Sequence, residues 1–331
     1  MQRSKPTVGV IGLGIMGSAM ASNLQKSGFS VIGSEPRASQ RRLMGSRISA
    51  VTANNAEVLA DSRLIITSLP SAKALFAVAE ELVRAAQSHP RRGKGPAAIV
   101  AETSTLTLED KLKARTIFAE GGIEMLDCPL SGTGAQAVNR DLTVFASGSA
   151  AAIKSFMPVF KGFSKTQFNV GEFGNGIKTK WVANLLVAIH NISTAEALLF
   201  ARELGLDMSS IVEVLADGAG SSRMLQIRGP MMVAHNWQPA TMRVGIWKKD
   251  MTIIQSAVQS LNVPAPLFQA SLPIYAAAMA SGMEADDTAA VYEVLEKMTG
   301  QVATAKPSTK SPKRVPAAKK SRRSTTRKKA K

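Results

Sequence analysis

A short apolar run, Val8 to Ile11, passes straight into Gly12-Leu13-Gly14-Ile15-Met16-Gly17, and a helical stretch from Met16 to Ser27 follows at once. Glycines spaced G-x-G-x-x-G between a strand and a helix have a mechanical reading. Gly12 permits a tight turn, Gly14 lets a pyrophosphate come close to the backbone, and Gly17 lets the helix lie near the strand. The free N–H groups and positive dipole end of that helix favour an anion. A glycine triplet alone is a weak pattern, because a glycine turn need hold no ligand. Its position between a strand and a helix favours dinucleotide binding. The second strand, Phe29 to Ser34, should end beside the adenosine ribose. Glu35 stands there, 23 residues beyond Gly12, where a carboxylate accepts from ribose hydroxyls and repels a 2′-phosphate. Arg37 is suited to pairing with that phosphate. The expected cofactor is NAD, with NADP left open.

The first half keeps alternating between strand and helix. Arg63–Leu69, Ala97–Ala101 and Ile123–Leu126 read as strands, Ala74–Ala86 and Leu108–Glu120 as helices. Such alternation suggests βαβ units and a parallel sheet. From Gly176 to Leu204 no proline or glycine interrupts a strongly apolar helical run, about 40 Å long. Being apolar nearly all round, it should be buried between layers. Asn184, His190, Asn191 and Glu196 interrupt it, which argues for a soluble helix and against a membrane span. Ser209–Ala216, Met251–Leu261, Gln269–Ala280 and Ala289–Met298 also read as helices. The expected fold is an α/β N-terminal Rossmann domain with a mainly parallel sheet, followed by an all-α C-terminal domain and joined to it by a long interdomain helix. The expected division is 1–172 for the cofactor domain, 173–300 for a substrate and dimerisation domain, and 301–331 for a tail.

Charge sets that tail apart. The chain carries 41 Lys+Arg against 24 Asp+Glu, but twelve of the bases and none of the acids lie in residues 301–331. The rest holds 29 bases against 24 acids, an ordinary balance. Low-complexity Lys, Arg, Pro, Ala, Ser and Thr have little to bury, so the tail should be disordered. One cysteine and three scattered histidines exclude a disulfide scaffold and make a metal site unexpected. No signal peptide is visible before the first strand, so the cytoplasm is the default expectation.

Further segments carry a resemblance. The run GLGIMGSAMASNL resembles the opening of the β-hydroxyacid dehydrogenase family, which includes 3-hydroxyisobutyrate dehydrogenases and tartronate semialdehyde reductases. Asp127-Cys128-Pro129-Leu130-Ser131-Gly132-Thr133, with Leu142-Thr143 after it, resembles the family's substrate segment. Gly174-x-Gly176-x-x-x-Lys180-x-x-x-Asn184 resembles its catalytic helix, and Lys249-Asp250 its late K-D pair. The match covers about residues 7–298. The resemblance implies an NAD(P)-dependent oxidoreductase with a 6-phosphogluconate dehydrogenase-like C-terminal domain, acting on a small β-hydroxy acid or its semialdehyde. It implies Lys180 as the catalytic lysine, Asn184 as the substrate-orienting asparagine, and Ser131, Gly132 and Thr133 as the carboxylate-binding turn. It places Leu69, Pro70, Thr105 and Lys249 against the cofactor, beside the glycine loop. There are departures from the family pattern. Thr133 replaces a usual glycine, Ala74 and Ala183 stand where asparagines are frequent, and Glu102 stands where Asp is common.

The chemistry has its own logic. Lys180 and Asn184 are four residues apart and share a helix face. Burial lowers a lysine pKa toward working pH, and a second cation such as Lys249 would lower it further, as suits a general acid–base. Taken alone, Lys180 would read as a helix lysine reaching to water. Asn184, the preceding glycines and the Ser-Gly turn reverse that reading. Backbone N–H groups and two hydroxyls at Ser131–Thr133 suit a carboxylate. Lys178 and Lys248 are the neighbouring alternatives. Asp127 is expected to end a strand and bond locally, Cys128 to pack, and His190 and Asn191 to form a polar spot in the core or at a subunit contact. The apolar excess of the second half suggests a homo-oligomer. A rival reading uses the basic tail for non-specific nucleic-acid binding, with the enzyme fold as a platform.

Overall fold

The computed structural model describes residues 5–88 and 95–300; the tail at 301–331 and His89 lie outside the described residues. Six parallel strands form the main sheet: β1 (Thr7–Ile11), β2 (Ser30–Ser34), β3 (Ala50–Thr52), β4 (Leu64–Thr67), β5 (Ile99–Glu102) and β6 (Glu124–Asp127). Their order is β3-β2-β1-β4-β5-β6. In β1, Val8 pairs with Val31 on one side and Leu64 on the other. The chain reverses its direction of winding between β1 and β4, which opens a crevice at the carboxyl ends of those strands.

Both faces of the sheet are covered, which is why its strands read as unbroken apolar runs. Val8, Val10 and Ile66 face α1 (Ile15–Lys26) and α7 (Ala150–Phe163), where Phe156, Phe160 and Phe163 are fully buried. Each such ring contributes on the order of 2–3 kcal/mol of transfer free energy. Ile65, Val100 and Met125 face α3 (Asn55–Asp61), α4 (Ala72–Ser88) and α5 (Leu108–Glu120). A second sheet of β7 (Leu130–Ser131), β8 (Thr143–Ala146) and β9 (Thr166–Asn169) follows, with α6 (Gly134–Val138) between β7 and β8. β7 runs antiparallel to β8 and β9 parallel to it.

Beyond β9 the chain is helical. α8 (Asn175–Glu203) begins at Gly174, whose φ of 94° is a left-handed conformation suited to glycine. Around α8 pack α9 (Met208–Ala216), α10 (Arg223–Val233), α11 (Val244–Ser260), α12 (Pro266–Ala280) and α13 (Val291–Met298). Ala188, Ile192, Ala195 and Leu198 of α8 meet Met232, Trp247, Phe268 and Tyr292 in one core. Asn191, fully buried, donates to Tyr275 Oη at 3.1 Å and to the Thr288 carbonyl at 2.8 Å. It is a core pin, as one of the two sequence readings has it.

The expected fold class is met, and three expectations need correction. α8 is long and apolar enough to cross a membrane by length and composition. It is not buried on all sides, however: Val182 is 64% and Phe200 66% exposed along one face. Secondly, α10, the short helices α2 (Ala38–Gly45), α3 and α6, the helix α7, and the strands β3, β7, β8 and β9 have no counterpart in the sequence reading. Gly229-Pro230 obscures α10, and β7 at two residues is too short for any periodicity. Thirdly, Asp127 does end a strand, but its partners are remote, as described below.

Candidate active site

The carboxyl end of β6 reaches the first turn of α8, and the loop after β5 reaches α11, in a sheet whose neighbouring strands are β1 and β4. At β1, Gly12 has φ 90°, and a Cβ there would lie 2.3 Å from the Ser68 carbonyl. A Cβ on Gly17 would lie 1.9 Å from the Gly12 carbonyl, so that helix and strand touch backbone to backbone. At Gly14 a Cβ would meet nothing within 4 Å, and no side chain caps the first turn of α1. Open space above uncapped amides is what a dinucleotide pyrophosphate needs, so these residues fit the cofactor. Ile15 is 70% exposed beside that space, and Leu13 is buried.

Glu35 holds this turn to the end of β2. Its Oε2 accepts from the Leu13 N–H at 3.1 Å, and its Oε1 accepts from Arg37 Nε at 2.7 Å. Burial works against the carboxylate, and hydrogen bonds from Arg37 more than offset it, holding Glu35 below the usual carboxylate range. Leu69 donates its N–H to Ser104 Oγ at 2.9 Å and lies against Gly12, with exposed Pro70 next to it. Met16 lies in the same first turn of α1 and is partly buried.

The turn predicted to hold a carboxylate sits beside this loop. Gly134 is so close to Ile15 that a Cβ would lie 2.6 Å from that side chain. Gly132 has φ 134°. Thr133 is engaged otherwise than expected: it caps α6. Its N–H donates to Gln136 Oε1 at 3.0 Å, and its hydroxyl accepts from the Gln136 N–H at 3.4 Å. That capping box occupies both groups that the sequence reading offered to a substrate. Ser131, in β7 against α8, and Gly132 carry the remaining polar groups of the turn.

Opposite lies the helical side of the cleft. Lys180 and Asn184 are buried one turn apart on α8. Asn184 Nδ2 donates to Asp250 Oδ2 at 3.0 Å. Next to Asp250 on α11, Lys249 Nζ donates to the Thr105 carbonyl at 2.7 Å, bridging the helical side to the loop after β5. Burial drives the Lys180 ammonium below its ordinary range; the Asp250 carboxylate opposes this and the Lys249 ammonium adds to it. Burial likewise raises the Asp250 carboxyl, against the pull of Lys249 and Lys180. Lys178 and Lys248, the sequence alternatives, are both exposed.

The approach to α11 is held by Asp287, fully buried, which accepts from the Thr241 N–H at 2.6 Å and the Met242 N–H at 3.0 Å and pairs with Arg228. Asp127 is the functional surprise. Its Oδ2 accepts from the Ile177 N–H at 2.7 Å, at the first turn of α8, and its Oδ1 takes Lys111 Nζ at 2.6 Å. Sequence reasoning missed the remote partners of Asp127, Lys111 altogether, and the acceptor role of Asp250. The only available signal was charge inside apolar surroundings. Burial pushes the Cys128 thiol far up, so it packs as an inert side chain. A polar hollow of about 760 Å³ elsewhere, around Arg140 and Lys165, holds none of the predicted residues.

Comparison with known proteins agrees with this geometry. Residues 7–171 match the family model of the NAD binding domain of 6-phosphogluconate dehydrogenase. Residues 174–295 match that of the NAD-binding domain of NADP-dependent 3-hydroxyisobutyrate dehydrogenase. A 2-(hydroxymethyl)glutarate dehydrogenase of Eubacterium barkeri is 30% identical over 88% of this chain and 96% of its own length. An L-threonate dehydrogenase of Escherichia coli K12 is 27% identical over 88% of this chain and 95% of its own. The solved structure of a Mycobacterium tuberculosis 3-hydroxyisobutyrate dehydrogenase with L-serine superposes with a TM-score of 0.77 at 24% identity, covering 88% of this chain and 99% of that one. The chain belongs to the β-hydroxyacid dehydrogenase family and is an NAD(P)-dependent enzyme of the class acting on CH–OH donors.

Proposed function

We propose that this enzyme interconverts a small β-hydroxy acid and its semialdehyde, with Lys180 as the general acid–base. One observation carries the reading: a buried lysine stands at the cleft beside an Asn184–Asp250 pair and a second ammonium. When bound, the nicotinamide supplies the hydride acceptor or donor. In oxidation, neutral Lys180 Nζ takes the hydroxyl proton as the carbinol C–H bond gives up its hydride. In reduction, the Lys180 ammonium returns a proton to the carbonyl oxygen. Burial lowers the Lys180 pKa, which eases the loss and return of its proton, as general acid–base work requires.

Asn184 orients the substrate. Its amide nitrogen is held by Asp250, which turns the amide oxygen in a fixed direction and leaves a second N–H for a hydroxyl or carboxylate. Ser131 Oγ and the Gly132 N–H hold the substrate carboxylate, with Thr133 shaping the turn through its cap. Fixing the reacting carbon in this way supplies a large part of the rate enhancement. Residues 1–172 hold the cofactor and 173–300 close over it. Substrates of three or four carbons suit the site, and the L-threonate enzyme among the relatives supports that size class, while the 2-(hydroxymethyl)glutarate enzyme sets six carbons as the upper comparison.

The test is a panel: L-threonate, 3-hydroxyisobutyrate, 2-(hydroxymethyl)glutarate and tartronate semialdehyde, each with NAD(H) and NADP(H), followed by nicotinamide absorbance. Turnover of at least one, lost in Lys180→Ala with cofactor affinity retained, is expected. Undiminished turnover in Lys180→Ala would remove the lysine from the mechanism.

A further inference from the structure

Three charges with no part in the proton transfer are buried under the cleft. Lys111 of α5 is fully enclosed, and its Nζ lies 2.6 Å from both Glu102 Oε2 and Asp127 Oδ1, which are equally enclosed. Burying two carboxylates and one ammonium is costly unless each remaining lone pair and charge finds a partner. The partners found here are informative. Glu102 Oε1 accepts from the Ser104 N–H at 2.7 Å, at the start of the loop whose Ser104 hydroxyl accepts from Leu69 and whose Thr105 carbonyl accepts from Lys249. Asp127 Oδ2 accepts from the Ile177 N–H, and Ser147 Oγ, which donates to the Asp127 carbonyl, accepts from the Gly176 N–H at 2.9 Å. The excess negative charge of the trio thus meets the positive end of the α8 dipole. Burial works against the Lys111 ammonium, and Glu102 and Asp127 hold it protonated all the same, above the usual lysine range.

We infer that Lys111 is a positioning residue: by clamping the ends of β5 and β6 together, it sets the 103–105 loop on the cofactor side and the first turn of α8, and so fixes where Lys180 stands. The inference rests on the reading of Lys180 as the acid–base, but the clamp itself is a statement about two segments moving together. It also explains how Glu102 is tolerated where the family resemblance leads one to expect Asp. The longer carboxylate reaches an ammonium that α5 supplies.

The test compares the full-length protein with Lys111→Met, Lys111→Arg and Asp127→Asn. Two readouts need no substrate. One is amide hydrogen exchange of residues 103–105 and 175–180, with α12 as an internal control. The other is the pH dependence of acetic anhydride labelling at Lys180, which reports its pKa. In Lys111→Met both segments should exchange at least tenfold faster while α12 is unchanged, and the Lys180 titration should move up toward that of an ordinary lysine. Lys111→Arg should restore both in part. Should Lys111→Met fail to fold, Asp127→Asn decides. It keeps the Lys111–Glu102 pair and should loosen 175–180 and shift the Lys180 titration. Unchanged exchange at either segment in folded Lys111→Met, or an unmoved Lys180 titration in whichever variant folds, overturns the inference. Neither result depends on whether Lys180 moves a proton, which the turnover of Lys180→Ala answers separately.

Discussion

Whether Lys180 holds its proton is decided by burial and by two charged neighbours, with unequal effect. Burial disfavours its charge, Asp250 favours it and Lys249 disfavours it, with the net result below the ordinary value of 10.5. With Lys180 as the proposed acid–base, oxidation uses the neutral amine and its rate should rise with pH through a pKa below 10.5, while reduction uses the ammonium and should fall through the same pKa. Lys249→Met removes a repelling cation, so the Lys180 pKa should rise and the oxidative limb should move to higher pH. Asp250→Asn removes an attracting anion, so the limb should move to lower pH. The two shifts should be opposite in sign, because the two neighbours carry opposite charges. Opposite movements in pH–rate profiles check the assignment; movement of both in one direction would contradict it. The family resemblance marked Lys180 and Asn184, and their i, i+4 spacing put both on one helix face. The acceptor role of Asp250 toward Asn184 spans 66 residues, and no periodicity encodes it. Lys111 was invisible for another reason: a lysine on a helix as polar as α5 ordinarily reads as solvent-facing, and only the fold shows that this one points inward.

At the scale of elements, the entry to α8 is the sensitive joint. Gly176 lies so near the β6 end that a Cβ would sit 2.6 Å from the Asp127 carbonyl and 2.7 Å from the Phe145 carbonyl. Both obstacles are backbone and cannot turn aside. Gly176→Ala should therefore cost about 1–3 kcal/mol, as overpacking does, and thermal unfolding should read it as a lowered Tm. Because the displaced element carries Lys180, turnover should fall further than the loss of folded protein accounts for. A variant as stable and active as the wild type would contradict the close approach. The glycine pattern G-x-G before Lys180 was plain in the sequence, but what the glycines make room for was not. Five of the six parallel strands in the main sheet were legible because both faces are covered and the runs are continuous; β3, partly exposed at the edge, was not. Nor was the short second sheet, since β7 has two residues and β8 and β9 are only partly buried, so no continuous apolar run marks them.

The whole molecule is a division of labour between a sheet that ends in backbone amides and a helical layer that brings a buried base to meet them. The site contacts run from Gly12 to Asp287 and use none of the twelve bases at 301–331. A chain ending at Gly300 should keep the full-length kcat, KM and cofactor affinity, as steady-state kinetics can establish. If it binds duplex DNA at all, that binding should depend on the removed segment and weaken steeply with salt. Activity lost on truncation would mean that the tail contributes to the site. The exposed apolar face of α8, with Val182, Leu186 and Phe200, was hidden from the sequence reading. A helix apolar all round cannot reveal which of its faces its own domain will cover.

The most direct test is turnover of Lys180→Ala on a hydroxy acid that the wild type oxidises, with and without added primary amines of graded pKa. The account predicts lost turnover, retained cofactor affinity, and partial rescue whose pH dependence follows the pKa of the amine supplied. Wild-type turnover without any amine, with the rising limb of the pH profile intact, would contradict it.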